Sequence, residues 1–481
     1  MSVRRERADD GTLFASLLAA AAVVLAYGMQ VSNATLQSDS LLALTFCLAL
    51  TTAAFCLPSG GRVEQLGEHL PIWILGAGLA LDFGLLLTWP PGIYLEVSPA
   101  QYAHFQFGIG VAAVLAGAAL VNESVGRVAF PFLLATHVLL ANWVLRASPN
   151  PHIDVSYFHR DAFAALLRGE NPHAGSIPNI YPDAAFYGDG IVENGRVLVG
   201  HPYPPLSLFL TFATHEITGD YRDILVIAVV AAAAMIAYSR NSRISIAAAA
   251  AFLFTPRVFF VYEQGWTDCL SVAMFVLTVF VACRAPRFLW VAVGLMLAIK
   301  QYLVAVVPLI FLLLPAGSVS TRSNLAAPLA PATALGASLR IVLKGAALAA
   351  VLTVPMFLWN PSAFMKDIFW FQIRQPFRTD ALSYLAWFAQ HTGTQLGSWV
   401  GFVAVLPALV LGALRAPRTP AGFAAASGLV FLAFFAFNKQ AFCNYYFFIL
   451  AVLFTAAGLA SASGGRRALA AGVGDGDRSR G

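Results

Sequence analysis

The sequence predicts an all-α fold: a polytopic transmembrane helical protein of about 13–15 membrane segments. Of its 481 residues, 59% are hydrophobic and only 11% charged, against about 25% charged in an ordinary soluble domain. Apolar runs of roughly 17 to 25 residues recur along the chain, and about 20 are enough to cross a bilayer as a helix. Lys and Arg alternate between the connecting loops as the positive-inside rule requires. Together these observations exclude a soluble enzyme, and they account for the net charge of +5 without a nucleic-acid partner.

The elements follow in order from hydropathy and charge. Arg4, Arg5 and Arg7 precede the first apolar run, which lacks a small-residue cleavage site after it and so reads as a retained first helix. Spans are expected near 12–30, 40–57, 70–90, 104–121 and 127–146. Arg62 and Arg127 then fall in cytoplasmic loops, and the Lys/Arg-free loops VSNATLQSDS and WPPGIYLEVSPAQY fall outside. Five crossings bring the chain out, so residues 147–202 form a large extracytoplasmic loop. It extends to 222 because YPPLSLFLTFATHEITGD reads as a surface or re-entrant helix: a full crossing there would put Arg240, Arg243, Arg284 and Arg287 outside.

Spans near 223–239, 244–261 and 268–283 come next. The run FLWVAVGLMLAIKQYLVAVVPLIFLLL must then turn back, with Lys300 at its outer tip, to keep Arg322, Arg340 and Lys344 cytoplasmic. Spans near 340–358, 396–414, 421–437 and 441–460 leave Arg415, Arg418 and a polar, Gly-rich tail inside. The chain therefore divides into an N-terminal four-helix membrane unit (1–121), a second membrane unit (122–462) carrying the loop 147–222, and a disordered cytoplasmic tail (463–481). The five cysteines show neither metal spacing nor a disulfide framework.

Eleven of the 29 Lys and Arg residues defy the cytoplasmic bias: Arg146, Arg160, Arg168, Arg196, Arg222, Arg257, Lys300, Lys366, Arg374, Arg378 and Lys439. An anionic ligand at the outer surface is one reason for them to be there. Several conspicuous outer segments accompany them: PHIDVSYFHRDAFAALLRGENPH at 151–173, the turns HPYPPL and YEQGWTD, FWFQIRQPFRTD, and FNKQAFCNYY. A carboxylate among cations at a lipid boundary suits transfer from a lipid phosphate. The cations hold the phosphate, and the carboxylate takes the proton of an attacking hydroxyl. Arg374 and Arg378, four apart, would share a helical face. Asp161 lies two helical turns from Asp154. His152, His159 and His173 do not make a metal motif.

From residue 127 to about 460 the chain resembles the GT-C superfamily of membrane glycosyltransferases, and within it the bacterial polyprenyl-phosphate-mannose-dependent mannosyltransferases. Asp154 fits the aspartate that this superfamily carries in its first large extracytoplasmic loop, just after a transmembrane helix. DAFAALLRGENPH resembles the alanine-rich helix ending in Gly-x-x-Pro-aromatic, YPPLSLFL the entry to the next helix, QGWTD a Gly-Gln-type turn, and AIKQYL a Lys-containing hairpin. Three departures stand out: five helices precede the aspartate instead of one, His173 replaces an aromatic, and Gln301 replaces a frequent Pro.

The resemblance implies inverting transfer of mannose from a polyprenyl phosphate to a lipid or glycan acceptor, at the outer face of a bacterial plasma membrane. It casts Asp154 as general base and implies no bound cofactor; a divalent metal is left open. Asp161, His159, Tyr203, Gln264, Asp268, Lys300, Arg374 and Arg378 are the expected substrate contacts. The bland readings stand beside these. In them Asp154 serves only as the N-cap of a helix starting near Ser156, Lys300 snorkels to the interface, and the arginines form a plain interfacial patch. A transporter, a lipid flippase and a glycan polymerase or ligase are the alternative functions. Asp82, an acid inside the third span, invites a functional reading of its own.

Overall fold

A computed structural model describes residues 11–58, 62–181, 184–314 and 331–460; Arg4, Arg5, Arg7, Arg322 and the 463–481 tail lie outside them. The chain opens with α1 (Thr12–Ser32), α2 (Ser38–Cys56), a single turn α3 (Arg62–Gln65), α4 (His69–Thr88), α5 (Pro99–Val121) and α6 (Glu123–Ala147). The segment between α6 and α9 holds α7 (Asp154–Leu167), a small sheet and α8 (Pro205–Thr218). There follow α9 (Asp223–Arg240), α10 (Arg243–Leu253), α11 (Val258–Glu263), α12 (Asp268–Arg284) and α13 (Leu289–Ile299), then a 3-10 stretch Gln301–Leu313. The last part comprises α14 (Pro331–Trp359), α15 (Pro361–Met365), a π turn Lys366–Trp370, α16 (Phe371–Arg374), α17 (Tyr384–Thr392), α18 (Trp399–Arg415), α19 (Pro420–Ala436) and α20 (Cys443–Leu459).

Seven of these helices, α1, α2, α4, α5, α6, α9 and α14, are long and apolar enough to cross a membrane, and six further segments are shorter and apolar. The protein is thus all-α and integral to the membrane. Two expected spans are built differently. The span at 244–261 breaks at Phe254–Arg257 into α10 and α11. The hairpin at 288–314 is α13 followed by thirteen residues of 3-10 helix, with Lys300 extended between them (φ −156°, ψ 138°). A 3-10 run that long is unusual; Pro308 lies inside it, where it removes a backbone donor. The 205–218 segment is a fourteen-residue helix, too short to span.

One continuous buried apolar cluster runs from Phe14 to Ala460. At its centre α20 is buried all round, as a helix with no polar face must be, and α1, α9, α10, α12 and α19 pack against it. The N-terminal helices therefore share this core. α14 and α18 instead expose Val351, Leu358, Phe402 and Leu414, the large apolar side chains of a lipid-facing surface. Asp82 sits fully buried in α4 with neither carboxyl oxygen hydrogen-bonded.

Charge orders the two ends. At one end Arg243 donates to the Leu120 carbonyl (2.9 Å from Nε), Arg284 to Tyr238 (3.0 Å from Nε) and Arg240 to Leu459, each satisfying carbonyls at a helix C-terminus. At the other end the α1–α2 loop pairs with 380–381 through Thr35 and Ala381. There too, Asn194-Gly195, both at positive φ, closes a hairpin of β2 (Val192–Glu193) and β3 (Arg196–Val197). Asn-Gly is the dipeptide that suits such a turn. β1 (Ile177–Pro178) completes an antiparallel sheet in the order β1-β3-β2. Phe158, Ile177, Tyr187, Val197 and Phe371 form a second small core between α7, this sheet and α16.

Candidate functional site

α7 begins at Asp154 itself, with Ile153 as its N-cap and no side-chain capping bond. The capping reading of Asp154 therefore does not hold, because the residue stands one place inside the helix. Its carboxylate is half-buried; Oδ2 accepts a hydrogen bond from the Tyr187 hydroxyl at 3.1 Å. The Asp154 N–H meets the Tyr181 hydroxyl at 3.4 Å. Burial raises the carboxyl above the usual carboxylate range, while Tyr187, backbone N–H groups and Tyr181 pull it part of the way back. The result is a carboxylate more basic than one in water.

Tyr203 stands between this acid and a second one. Its hydroxyl is pushed well up by burial and then by the negative charges of Asp154 and Asp268. The Lys300 ammonium lies 4.6 Å over its ring. Lys300, 8% exposed, donates to Thr267 Oγ1 (3.0 Å) and Asp268 Oδ2 (3.3 Å). Asp268 also accepts from Asn444 Nδ2 (2.8 Å) and from the Tyr302 hydroxyl (2.9 Å). Hydrogen bonds to both carboxylate oxygens thus support an otherwise costly buried pair. The turns HPYPPL and YEQGWTD, the Lys300 junction and FNKQAFCNYY meet at this point.

His159 is buried on the far side of Tyr203. It stacks on Tyr221 at 4.3 Å and faces Tyr203 at 5.7 Å and His201 at 5.1 Å. Burial lowers it to about 4, so the ring is neutral. Nδ1 lies 2.8 Å from the Val155 carbonyl and therefore carries the proton, which leaves Nε2 a bare acceptor. His201 is arranged alike, with Nδ1 3.2 Å from the Tyr203 carbonyl; its Nε2 also lacks a partner. His173 closes this cage 3.6 Å from Asp367. The π turn brings Asp367 inward, where it accepts from the Gly200 N–H at 3.0 Å; burial raises its carboxyl. Among the described residues no three His, Cys, Asp or Glu side chains are grouped to hold a metal. The bare nitrogens suit a buried water instead.

The remaining expected contacts are placed as follows. Asp161 packs over Gly175, where a Cβ would lie 2.4 Å from its Oδ2, and burial raises it against Arg196 and Arg168. Gln264 donates to Glu263 Oε2 (3.1 Å). Glu263 is itself spent on the Ile93 and Tyr94 N–H groups, both at 2.8 Å. Arg374 and Arg378 do not share a helical face, because α16 ends at Arg374 and the chain runs extended from Gln375. Arg378 forms a bidentate pair with Asp380 (2.8 and 2.7 Å) and lies over Phe186 and Phe442. Arg374 is exposed, and its backbone carbonyl abuts Gly188, next to Tyr187.

Most of the eleven cations expected at the outer face have protein partners. Arg222 donates to the Ser148 (2.9 Å), Leu145 (3.2 Å) and Glu263 (3.4 Å) carbonyls and pairs with Asp220. Arg257 reaches the Pro90 and Gln30 carbonyls, and Lys439 those of Ile373 and Gln375. Arg160, Arg168, Arg196 and Lys366 also have protein partners. Among the described residues only Arg146 and Arg374 of the eleven have none. Four of these charges, Arg196, Arg222, Arg257 and Lys439, tie backbone carbonyls, which must be satisfied where water is scarce, and five others pair with side chains. Sequence reasoning missed Tyr187, Tyr302, Asn444 and Asp367, whose roles depend on partners remote in the chain and carry no local signal.

No protein-family model matches the chain, and no curated protein matches its sequence. Among solved structures, ArnT from Cupriavidus metallidurans, crystallised with undecaprenyl phosphate, is similar at 17% identity and a TM-score of 0.41. The match covers 69% of this chain and 59% of that one, so the chain spans less than two thirds of that protein's length. A likeness this loose fixes neither family nor activity.

Proposed function

We propose that the protein is a glycosyltransferase of the GT-C kind. It moves a sugar, mannose by the sequence resemblance, from a polyprenyl phosphate to a lipid or glycan hydroxyl at the outer face. The observation that carries this reading is Asp154: a half-buried carboxylate raised by burial, held by Tyr187, on the same side of the molecule as a buried cation. Asp154 takes the proton of the acceptor hydroxyl as its oxygen attacks the anomeric carbon from the face opposite the phosphate. The bond from that carbon to the phosphate oxygen breaks, and the phosphate leaves with the electron pair and inverted stereochemistry at the sugar.

Arg374, without a protein partner among the described residues and beside the Tyr187–Gly188 backbone, takes the donor phosphate. Lys300 adds positive potential from behind Tyr203. The isoprenoid chain lies in an apolar groove of about 340 Å³ lined by Leu206, Phe209, Val351, Pro355, Met356 and Trp359, which opens three residues beyond Tyr203.

The test uses the full chain in phosphatidylcholine vesicles with polyprenyl-phosphate mannose. Asp154→Asn should lower transfer by about 10²–10⁴-fold, the usual worth of a general base, while donor binding persists. Undiminished transfer by Asp154→Asn would refute the mechanism.

A further inference from the structure

The outer ends of α5 and α6 enclose a second cavity, away from the Tyr203–Lys300 cluster. It is an open groove of about 530 Å³ lined by Glu96, Gln101, Leu139, Asn142, Trp143 and Arg146, among others. Its polar groups are largely unspent. Arg146 and Glu96 have no hydrogen-bond or ion-pair partner among the described residues, and they are not paired with each other. Gln101 uses its oxygen to accept from Ser98, which leaves its N–H₂ free. Asn142 uses its N–H₂ on the Val138 carbonyl (3.1 Å), which leaves its oxygen free. The Trp143 indole packs on Phe105 at 4.9 Å, and its N–H has no partner among the described residues.

A cation, an anion, one amide donor, one amide acceptor and an indole face in a single groove match a ligand bearing many hydroxyls, each able to donate and accept. A simple anion would meet Glu96 as well as Arg146 and is poorly served. Leu139, 72% exposed, continues the groove onto the apolar flank of α6, so the hydroxylated group is the head of a lipid.

The groove also borders the segment that carries Asp154. The Glu96 N–H donates to the Ala147 carbonyl at 2.7 Å, and the Tyr94 hydroxyl to the His152 carbonyl at 2.9 Å. Seven residues separate Ala147 from Asp154, a reach of at most about 25 Å. The geometry points to an acceptor subsite: the groove holds the sugar head group of a glycolipid, and the N-terminal helices supply half of it. This rests on the transferase reading above and names the class of its acceptor.

The experiment is lipid retention by the full-length protein in phosphatidylcholine nanodiscs, read by native mass spectrometry. The probes are digalactosyl diacylglycerol, a neutral glycolipid, and phosphatidic acid, an anionic lipid without sugar. The wild type should retain the glycolipid in preference. Trp143→Ala and Gln101→Ala should each weaken retention by about tenfold, the worth of a lost stacking face or hydrogen bond. Trp143→Phe, which keeps an aromatic face, should restore most of it and shows that loss is not misfolding. Equal glycolipid retention by wild type, Trp143→Ala and Gln101→Ala overturns the inference. So does a preference for phosphatidic acid that Arg146→Gln abolishes, which would mark an anionic-lipid site. Retention of polyprenyl-phosphate mannose by the same nanodiscs checks the donor reading separately; its absence beside intact glycolipid retention overturns the transferase reading and leaves the glycolipid groove.

Discussion

Removing either partner of the Lys300–Asp268 pair should destabilise the protein unequally, because the two ends are not equally supported. Asp268 accepts from Lys300 at 3.3 Å, Asn444 at 2.8 Å and Tyr302 at 2.9 Å, whereas Lys300 has, besides the acid and the Tyr203 ring, only Thr267 at 3.0 Å among the described residues. Both groups are buried, at 8% exposure for Lys300 and 1% for Asp268. Asp268→Leu strands the ammonium and orphans the Tyr302 hydroxyl and the Asn444 amide, so it should cost at least about 5 kcal/mol, the upper end for a broken buried pair. Lys300→Met leaves the carboxylate two good donors and should cost about 3 kcal/mol. In the double variant no charge remains, and the two losses should sum to about 2–3 kcal/mol more than the double costs. Unfolding of the full chain by a denaturing detergent, titrated in mixed micelles of constant composition, measures all three. An additive double, or a Lys300→Met variant less stable than Asp268→Leu, would refute the claim that the acid is the hub.

Two other perturbations probe the approach to Asp154. Tyr187 donates to the charged form of the acid and so favours it; Tyr187→Phe should raise the Asp154 carboxyl further above its ordinary range. Since the base works as carboxylate, the acidic limb of the transfer rate should move to higher pH in this variant, with little change on the alkaline side. An unmoved limb in the pH profile of kcat/KM would separate Tyr187 from the base. Gly92→Ala would put a Cβ 2.2 Å from Glu263 Oε1 and should cost about 1–3 kcal/mol by overpacking. Glu263→Ala, which orphans the Ile93 and Tyr94 N–H groups, should cost about 3 kcal/mol. Both should speed proteolysis within residues 90–98 and lower the apparent Tm.

The sequence was legible wherever a signal is local. The five helices up to residue 147 begin and end within a few residues of where hydropathy places them, except α5, which starts at Pro99 rather than 104 because Ser98 and Gln101 form a capping box around it. Charge placed Arg240, Arg243 and Arg284 at one end, where each caps a helix carbonyl. The Asn194-Gly195 hairpin was equally local, but an all-helical expectation passed over it. Lys300 was conspicuous as a lone charge in an apolar run, yet its partners lie 32 and 33 residues away. The shared helical face of Arg374 and Arg378 fails because helical spacing says nothing about where a helix stops; α16 ends at Arg374, before Pro376.

By itself, then, the sequence determined that this chain lives in a membrane, that it crosses as helices, and which loops share a side. Hydropathy and charge act residue by residue against the same solvent, so their sums survive without knowledge of the fold. Only the tertiary structure decided which polar groups are free to act. It spent Glu263, Arg222, Arg257 and Lys439 on backbone and Gln264 on Glu263, left Arg374 and Arg146 unpaired among the described residues, and set Tyr187 on Asp154. In a low-dielectric interior every donor needs its acceptor, and those pairings join residues as distant as Asp268 and Asn444, a matching that no window along the chain can read.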